Sequence, residues 1–332
     1  MNTFGEIFRF TDFGESHGVA VGGVIDGCPA GVSVGFDEIQ GELDRRAGRS
    51  GDFCEFVSPR AKSEQDVVEW LSGLQDGITL GTPIAFLVRN KEQKSTDYDA
   101  CRDVYRPGHA DYTYACKYGI RAVGGGGRAS ARETVARVVA GTVARQVLRA
   151  QGVNISSRIS QIGDAVARGD MENVLRNVRA EGDSIGAVVH TVIEGLPVGV
   201  GEPVFDKLPA RLAYAMLSIN ACKGFSYGSG FAAVGQKGSE LNDAMPYATN
   251  HAGGALGGIS NGQEVFFDVV FKPTPSIRKA QQTVNVHGQS QQICVNGRHD
   301  VCVAVRAVPV VEAMTALALL DLYLLAGLSK KK

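Results

Sequence analysis

Tryptophan occurs once in 332 residues and aromatic residues make up 7% of the chain. Neither sign of charge dominates, with 34 Lys and Arg against 35 Asp and Glu and a net charge of −1. A near-neutral chain lacks the electrostatic footprint of a general nucleic-acid binder. The seven cysteines are odd in number and form no CxxC pair. That argues against a disulfide framework or a zinc site and for a reducing cytosol. Cys28 and Cys302 lie in apolar surroundings and read as inert core residues. The histidines at 17, 109, 190, 251, 287 and 299 show neither HxxxH nor HxH spacing, so no metal is expected. The most membrane-like stretch, residues 307–328, is broken by Pro309, Glu312 and Asp321. Its apolar runs are too short to span a bilayer, so it reads as a buried or interface helix, with Lys330 to Lys332 a solvated tail. No signal peptide precedes Phe4, and a cytoplasmic location is expected. There is no fixed-period repeat and no low-complexity linker, so residues 1–332 read as one domain.

What the chain does have is apolar mass and glycine. Hydrophobic residues make up 44%, enough for a substantial core, and glycine supplies 42 of 332 positions. That is about 13%, against a typical ~7%. Alternating or apolar runs predict strands over residues 5–10, 19–25, 83–88, 154–162, 187–193, 265–271 and 301–305. Helical periodicity predicts helices over 37–46, 130–148, 171–179, 209–218 and 309–325. Strands and helices intermix without regular βαβ alternation, which argues against a Rossmann or barrel fold.

Chemistry concentrates in the loops. Four glycines, Gly124 to Gly127, run into Arg128-Ala129-Ser130-Ala131-Arg132-Glu133. Ser130 and Glu133 have capping-box spacing and predict a helix start at Ser130. Glycines permit close backbone approach, and a helix N-terminus with Arg128 and Arg132 favours an anion. The alternative is a glycine-rich turn with two solvated arginines. Gly14-Glu15-Ser16-His17-Gly18 offers a histidine that titrates near neutrality. Ser16 is a poor nucleophile candidate, because an apolar β-like run follows it instead of a helix. Arg106-Pro107-Gly108-His109-Ala110-Asp111 offers a second histidine at the start of a short helix, or simply a helix turn capped by Asp111. Residues 218–224 and 250–260 supply amides suited to a polar heteroaromatic ligand. Lys272-Pro273-Thr274-Pro275-Ser276 and Arg298-His299-Asp300 again suggest an anion, with Asp300 able to relay a proton. The alternative for the latter is a surface turn with local ion pairing.

These blocks, in this order and over nearly the whole chain, resemble the chorismate synthase family. The resemblance rests on Gly14 to Gly18, Gly108 to Asp111 with Lys117-Tyr118-Gly119, and Gly125 to Thr134. Asn250-His251-Ala252-Gly253-Gly254 and Arg298 to Asp300 leading to Arg306-Ala307-Val308-Pro309 complete it. It implies an α+β fold, a β-α-β sandwich with a helical layer between antiparallel sheets, assembled as a homotetramer. The implied reaction is trans-1,4 elimination of phosphate from 5-enolpyruvylshikimate 3-phosphate, giving chorismate for aromatic amino-acid biosynthesis. Reduced FMN is the implied cofactor, with NADPH only an indirect source of reduced flavin. His17 is implied as the acid near the flavin, His109 as the acid near the substrate, and Asp300 as an aid to proton removal. Implied FMN contacts are Arg128, Ala129, Ser130, Asn220, Ala221, Gly257, Lys272, Pro273, Thr274, Pro275, Ser276 and Arg298. Arg46, Arg49 and Arg132 are implied for the substrate anions, together with Arg128 and Arg298.

The sequence departs from the family at Ala129 and Pro275, where serines are usual, and at Val301, where proline is usual. Ala47-Gly48 follows Arg45-Arg46 where Arg-Pro-Gly is expected, and Ala122-Val123-Gly124 is less polar than usual. Two competing readings remain at this point. One is a nucleotide-dependent oxidoreductase, for which no GxGxxG stands between a strand and a helix. The other is a non-catalytic anion-binding protein.

Overall fold

In a computed structural model the described residues are 1–63, 65–91, 102–122, 126–295 and 299–327. The expected Arg298 site and the Lys330 to Lys332 tail lie outside them. The first half of the chain builds one antiparallel sheet. Its strands are β1 (Thr3–Phe4), β2 (Arg9–Gly14), β3 (Ala20–Asp26), β4 (Val68–Trp70) and, after a small hairpin of β5 (Leu74–Gln75) and β6 (Ile78–Thr79), β7 (Ile84–Arg89). Their order is β1-β2-β3-β7-β4. Alternation in β7 puts Ile84, Phe86 and Val88 inside. Helix α1 (Phe36–Ala47) and the short α2 (Pro59–Ser63) lie between β3 and β4, and α3 (Asp111–Tyr118) follows β7.

The second half opens with α4 (Thr134–Arg149), then β8 (Asn154–Ile162), α5 (Arg168–Ala180), β9 (Ala187–Glu194), α6 (Leu208–Leu217) and β10 (Cys222–Tyr227). After α7 (Gly238–Leu241) and a hairpin of β11 (Ala255–Leu256) and β12 (Ile259–Ser260) come β13 (Val265–Phe271), the hairpin β14 (Gln281–Val284) and β15 (Ser290–Ile293), and α8 (Ala304–Leu325). The second sheet has the order β10-β13-β9-β8, all antiparallel.

Helices α4 and α8 form the layer between the sheets. Helix α4 packs on β2, β3 and β7, while α8 packs on β8 and β9 and against α4. This is the α+β sandwich expected. Thirteen of the sixteen residues of α4 are buried, and the three that are not, Arg137, Arg145 and Arg149, share one polar edge. Helix α8 is long and apolar enough to cross a membrane, yet 89% of its most apolar window is buried here. It is a core helix. The two helices touch closely: a Cβ on Gly141 would lie 2.4 Å from Ala313 Cα.

Four expected elements are corrected. Residues 5–8 form a turn, with the strand at Arg9–Gly14, because Asp321 takes the N–H groups of Glu6, Ile7 and Phe8 at 2.7 to 3.0 Å. Those groups are then lost to a ladder. Residues 301–305 enter α8 instead of forming a strand; Val301 offers its carbonyl to Ile185 N (2.9 Å), and the chain turns helical at Ala304. Pro309, expected to open the helix, sits inside it. The helix expected from Ser130 begins at Thr134, after two 3₁₀ turns. Ser130 caps the second turn by accepting from Arg132 N (3.3 Å). Glu133 does not complete the box, because its carboxylate is taken by Arg137 and Asn220.

Candidate active site

One end of the helical layer opens into a cavity of about 590 Å³, within the size range of small-molecule and cofactor sites. Among the described residues, five arginines (46, 89, 106, 132, 306) and three lysines (91, 223, 272) line it against one carboxylate, Asp300. A chain of net charge −1 thus sets eight of its 34 Lys and Arg side chains around this cavity. Such a wall attracts a multiply anionic ligand.

The loop of His17 is fastened from outside. Asn90 donates through Nδ2 to Glu15 O (3.0 Å) and Gly18 O (2.8 Å), while its Oδ1 accepts from Arg132 Nε (2.8 Å). Ser16 Oγ and His17 Nδ1 are 3.0 Å apart, so these sequence neighbours do interact and orient the ring. On the facing wall, Asp111 gathers Arg106 and His109, with His109 Nδ1 2.9 Å from Asp111 Oδ1. Arginine and the histidine outweigh the cost of burial and hold the Asp111 carboxyl far below its usual range. The glycine loop serves this wall: a Cβ on Gly126 would lie 2.7 Å from His109 Cε1, and its φ is +90°. Only glycine lets the ring lie against the backbone there.

Asp300 Oδ1 accepts from Ser58 N (3.0 Å) and Oδ2 from Arg306 Nη1 (2.9 Å). Burial works against its charge, but Arg306 and Ser58 prevail and its carboxyl sits below the usual value. Arg306 also donates to Arg46 O (2.9 Å), tying α8 to α1. Arg46 is 1% exposed and donates to Thr134 Oγ1, Ala131 O and Asp66. The fully buried Asp66 also pairs with Arg132. One buried carboxylate thus braces two of the expected anion-binding arginines.

The remaining wall comes from two turns. Asn220 Nδ2 donates to Ser130 O and Glu133 Oε1, both 3.2 Å. Ala221 has a left-handed backbone (φ +68°), and its carbonyl accepts from Lys272 N (3.0 Å). Lys272 Nζ reaches Gly108 O (2.6 Å), clasping the His109 loop; burial and the neighbouring Lys223 hold this amine below its usual value. Among the described residues, Thr274 Oγ1 is buried with no hydrogen-bond partner. This hydroxyl fits a flavin ligand, since a polar ligand atom would satisfy it.

Of the expected site residues, His17, His109, Asp300, Ala129, Ser130, Asn220, Ala221, Lys272, Thr274, Pro275, Ser276, Arg46 and Arg132 all line this cavity. Others do not reach it. Arg128 is drawn to Asp12 (3.0 Å) and Asn2 (3.3 Å). Arg49 folds back on Asp44 and Lys62 O. Gly257 is in the turn of the β11–β12 hairpin, and Pro273 is exposed. The departures at residues 47 and 48 have a structural basis. Ala47 is fully buried, and Gly48 ends α1 at φ +73° with its N–H on Arg45 O and Asp44 O. Lys91, Arg89, Lys223 and Arg306 were not assigned from sequence. Asp111 stands two residues from His109, a proximity that could have flagged it.

Fold and cavity together define an enzyme scaffold whose site takes a multiply anionic small molecule. Comparison with known proteins narrows this. The chorismate synthase family model matches residues 8–324. The chorismate synthase of Porphyromonas gingivalis is 50% identical, covering 98% of this chain and 96% of its own length. That of Parabacteroides distasonis is 49% identical, covering 98% of each. A crystal structure of chorismate synthase superposes with a TM-score of 0.74 at 28% identity, covering 97% of this chain and 93% of that one. The chain belongs to the chorismate synthase family. It is a carbon–oxygen lyase acting on phosphates, which converts 5-enolpyruvylshikimate 3-phosphate to chorismate in the shikimate pathway. The family's reaction requires a reduced flavin.

Proposed function

We propose that the cationic cavity holds reduced FMN and 5-enolpyruvylshikimate 3-phosphate side by side, and that its two histidines and one carboxylate manage the protons. The observation that carries this reading is the convergence of His17, His109 and Asp300 on one cavity lined by eight cationic side chains. The substrate brings a phosphate and two carboxylates, and the arginines and lysines supply counter-charge. Reduced FMN, when bound, supplies electron density that is lent as phosphate departs and regained as a proton is lost. Ala129, Ser130, Asn220, Ala221, Lys272, Thr274, Pro275 and Ser276 would hold it. Arg132, with Arg46 behind it, would face the substrate anions. His109 protonates the departing phosphate as its C–O bond breaks. His17 serves as the acid beside the flavin. Asp300 aids removal of the ring proton, whose bonding pair becomes the new C=C bond.

We read residues 1–332 as one cytoplasmic domain that receives FMN already reduced by an NADPH-dependent source elsewhere. Assembly into a homotetramer is part of the same proposal and rests on the family resemblance. The test is anaerobic turnover with added reduced FMN, following phosphate and chorismate together. His17→Ala and His109→Ala should each slow turnover by about 10- to 10⁴-fold while FMN still binds. Wild-type rates in both variants would refute the assigned roles. Stoichiometric NADPH consumption per turnover would favour an oxidoreductase instead.

A further inference from the structure

Asp111 is 3% exposed and collects donors from one side of the cavity. Its Oδ2 accepts from Arg106 N (3.1 Å) and Arg106 Nε (2.8 Å). Its Oδ1 lies 2.9 Å from Arg106 Nη2 and 2.9 Å from His109 Nδ1. Arg121 Nη1 adds a further ion pair at 3.3 Å. A carboxylate offers about four lone-pair sites, and these four short contacts fill them. His109 Nδ1 also stands 3.1 Å from Arg106 Nη2, so it sits between a donor and an acceptor. Arg106 Nη2 has two hydrogens and gives one to Asp111, so the arginine alone does not set the tautomer; a bare Nδ1 lone pair 2.9 Å from the ionised Oδ1 would face another lone pair and be repelled. Nδ1 then completes the set only by carrying a hydrogen and donating it. The ring's Cε1–Nε2 edge lies against Gly126, with Arg106 Nη2 beside it.

We propose that Asp111 is a positioning residue that fixes a proton on His109 Nδ1, so that every proton this ring exchanges passes through Nε2. The inference rests on the reading of His109 as the acid near the substrate. With Nδ1–H held by Asp111, a doubly protonated ring has only the Nε2 proton to give. Once that proton has gone to the phosphate, the ring is neutral and still hydrogen-bonded to Asp111. It is reprotonated at the same atom, without turning over. Arg106 shares the carboxylate and keeps it aimed, which explains why a buried acid stands beside a histidine that must lose a proton to substrate and not to its neighbour. Arg106 and Arg121 together hold Asp111 ionised, so it does not compete for the proton.

The test uses the full-length protein labelled with ¹⁵N-histidine and examined at alkaline pH, where the ring is neutral. His109 signals are assigned by their loss in His109→Gln. The expected result is a neutral ring protonated at Nδ1. A wild-type ring protonated at Nε2 overturns the proposal. Asp111→Asn is expected to return the ring to the Nε2-protonated form and to lower kcat by roughly 10²- to 10⁴-fold, as misplacing a catalytic histidine's proton does elsewhere, while FMN affinity and KM stay near wild type. An Asp111→Asn enzyme with the wild-type tautomer and full activity overturns it equally. If that variant does not fold, the wild-type tautomer alone decides. Wild-type turnover by His109→Gln would remove the catalytic role of His109 and leave the tautomer result standing, so the two failures are distinguishable.

Discussion

Replacing Gly141 with alanine sets two effects of opposite sign against each other at the centre of the molecule. Helix propensity favours the change by about 1 kcal/mol, since glycine is the costlier residue in a helix interior. Packing opposes it. The new methyl would sit 2.4 Å from both Cα and Cβ of Ala313 and 2.5 Å from its carbonyl oxygen. Ordinary carbon–carbon contact is about 3.5 to 4.0 Å, so α4 and α8 must separate by roughly 1 Å. The obstructing atoms are backbone and Cβ of a buried helix and have no rotamer to yield, which places the overpacking cost at the upper end, ~3 kcal/mol. The net loss is ~2 kcal/mol. With an unfolding entropy of about 2.1 cal/mol/K per residue over the chain, this lowers Tm by ~3 °C. Turnover should fall as well, because α4 follows Arg132 and α8 follows Asp300, so their separation opens the cavity. The matched control is Gly41→Ala in α1, where nothing lies within 4 Å of the new methyl. That change should stabilise by ~0.5 to 1 kcal/mol. The assay is calorimetry or denaturant unfolding of the three proteins side by side. A Gly141→Ala midpoint at or above wild type would show that propensity prevails and that the close helix crossing resists nothing.

Two further expectations concern buried carboxyls. Asp321 is fully buried and accepts from three backbone N–H groups and from Arg211 Nη2 (2.7 Å). Asp321→Ala should cost ~3 to 5 kcal/mol in urea unfolding, and a loss under about 1 kcal/mol would show those donors finding water instead. Glu133 is pushed from 4.5 up to about 7, first by burial and then by Asp12, against the pull of Arg137. A carboxyl raised in the folded state binds more protons there than when unfolded, so stability falls as pH rises from about 4.5 to about 7. Glu133→Gln should flatten that slope, read as unfolding free energy at pH 5 and pH 7. An unchanged slope in the variant would sink the assignment.

The parts of the fold legible in the sequence were those with one dominant environment. The alternating run in β7 and the apolar-rich runs of β9 and β13 form strands where their periodicity puts them, as does β8 with its spaced isoleucines. The misreadings have tertiary causes. Residues 5–8 look like a strand until a carboxylate more than 300 residues away claims their N–H groups. Residues 301–305 alternate valine with cysteine and alanine, yet they lead into a helix buried between the second sheet and helices α1, α4 and α6, where burial outweighs propensity. Strands β14 and β15 (QQTV and SQQI) are too polar to announce a core face. In the site, loops rich in glycine, histidine and arginine gave the cavity away. Which arginine faces inward was not legible, because Arg49 and Arg128 are decided by the acids they meet, Asp44 and Asp12. Asp66 gives no local signal, since its role exists only once Arg46 and Arg132 converge on it.

The stitch between Asp321 and residues 6–8 has a bearing on the order of synthesis. Residues 6–8 are made more than 300 residues before their acceptor, Asp321. Until then the first sheet has neither that anchor nor the apolar helix that backs the cavity. A nascent chain therefore carries its arginine-bearing loops without the wall that completes their common cavity until α8 has been made.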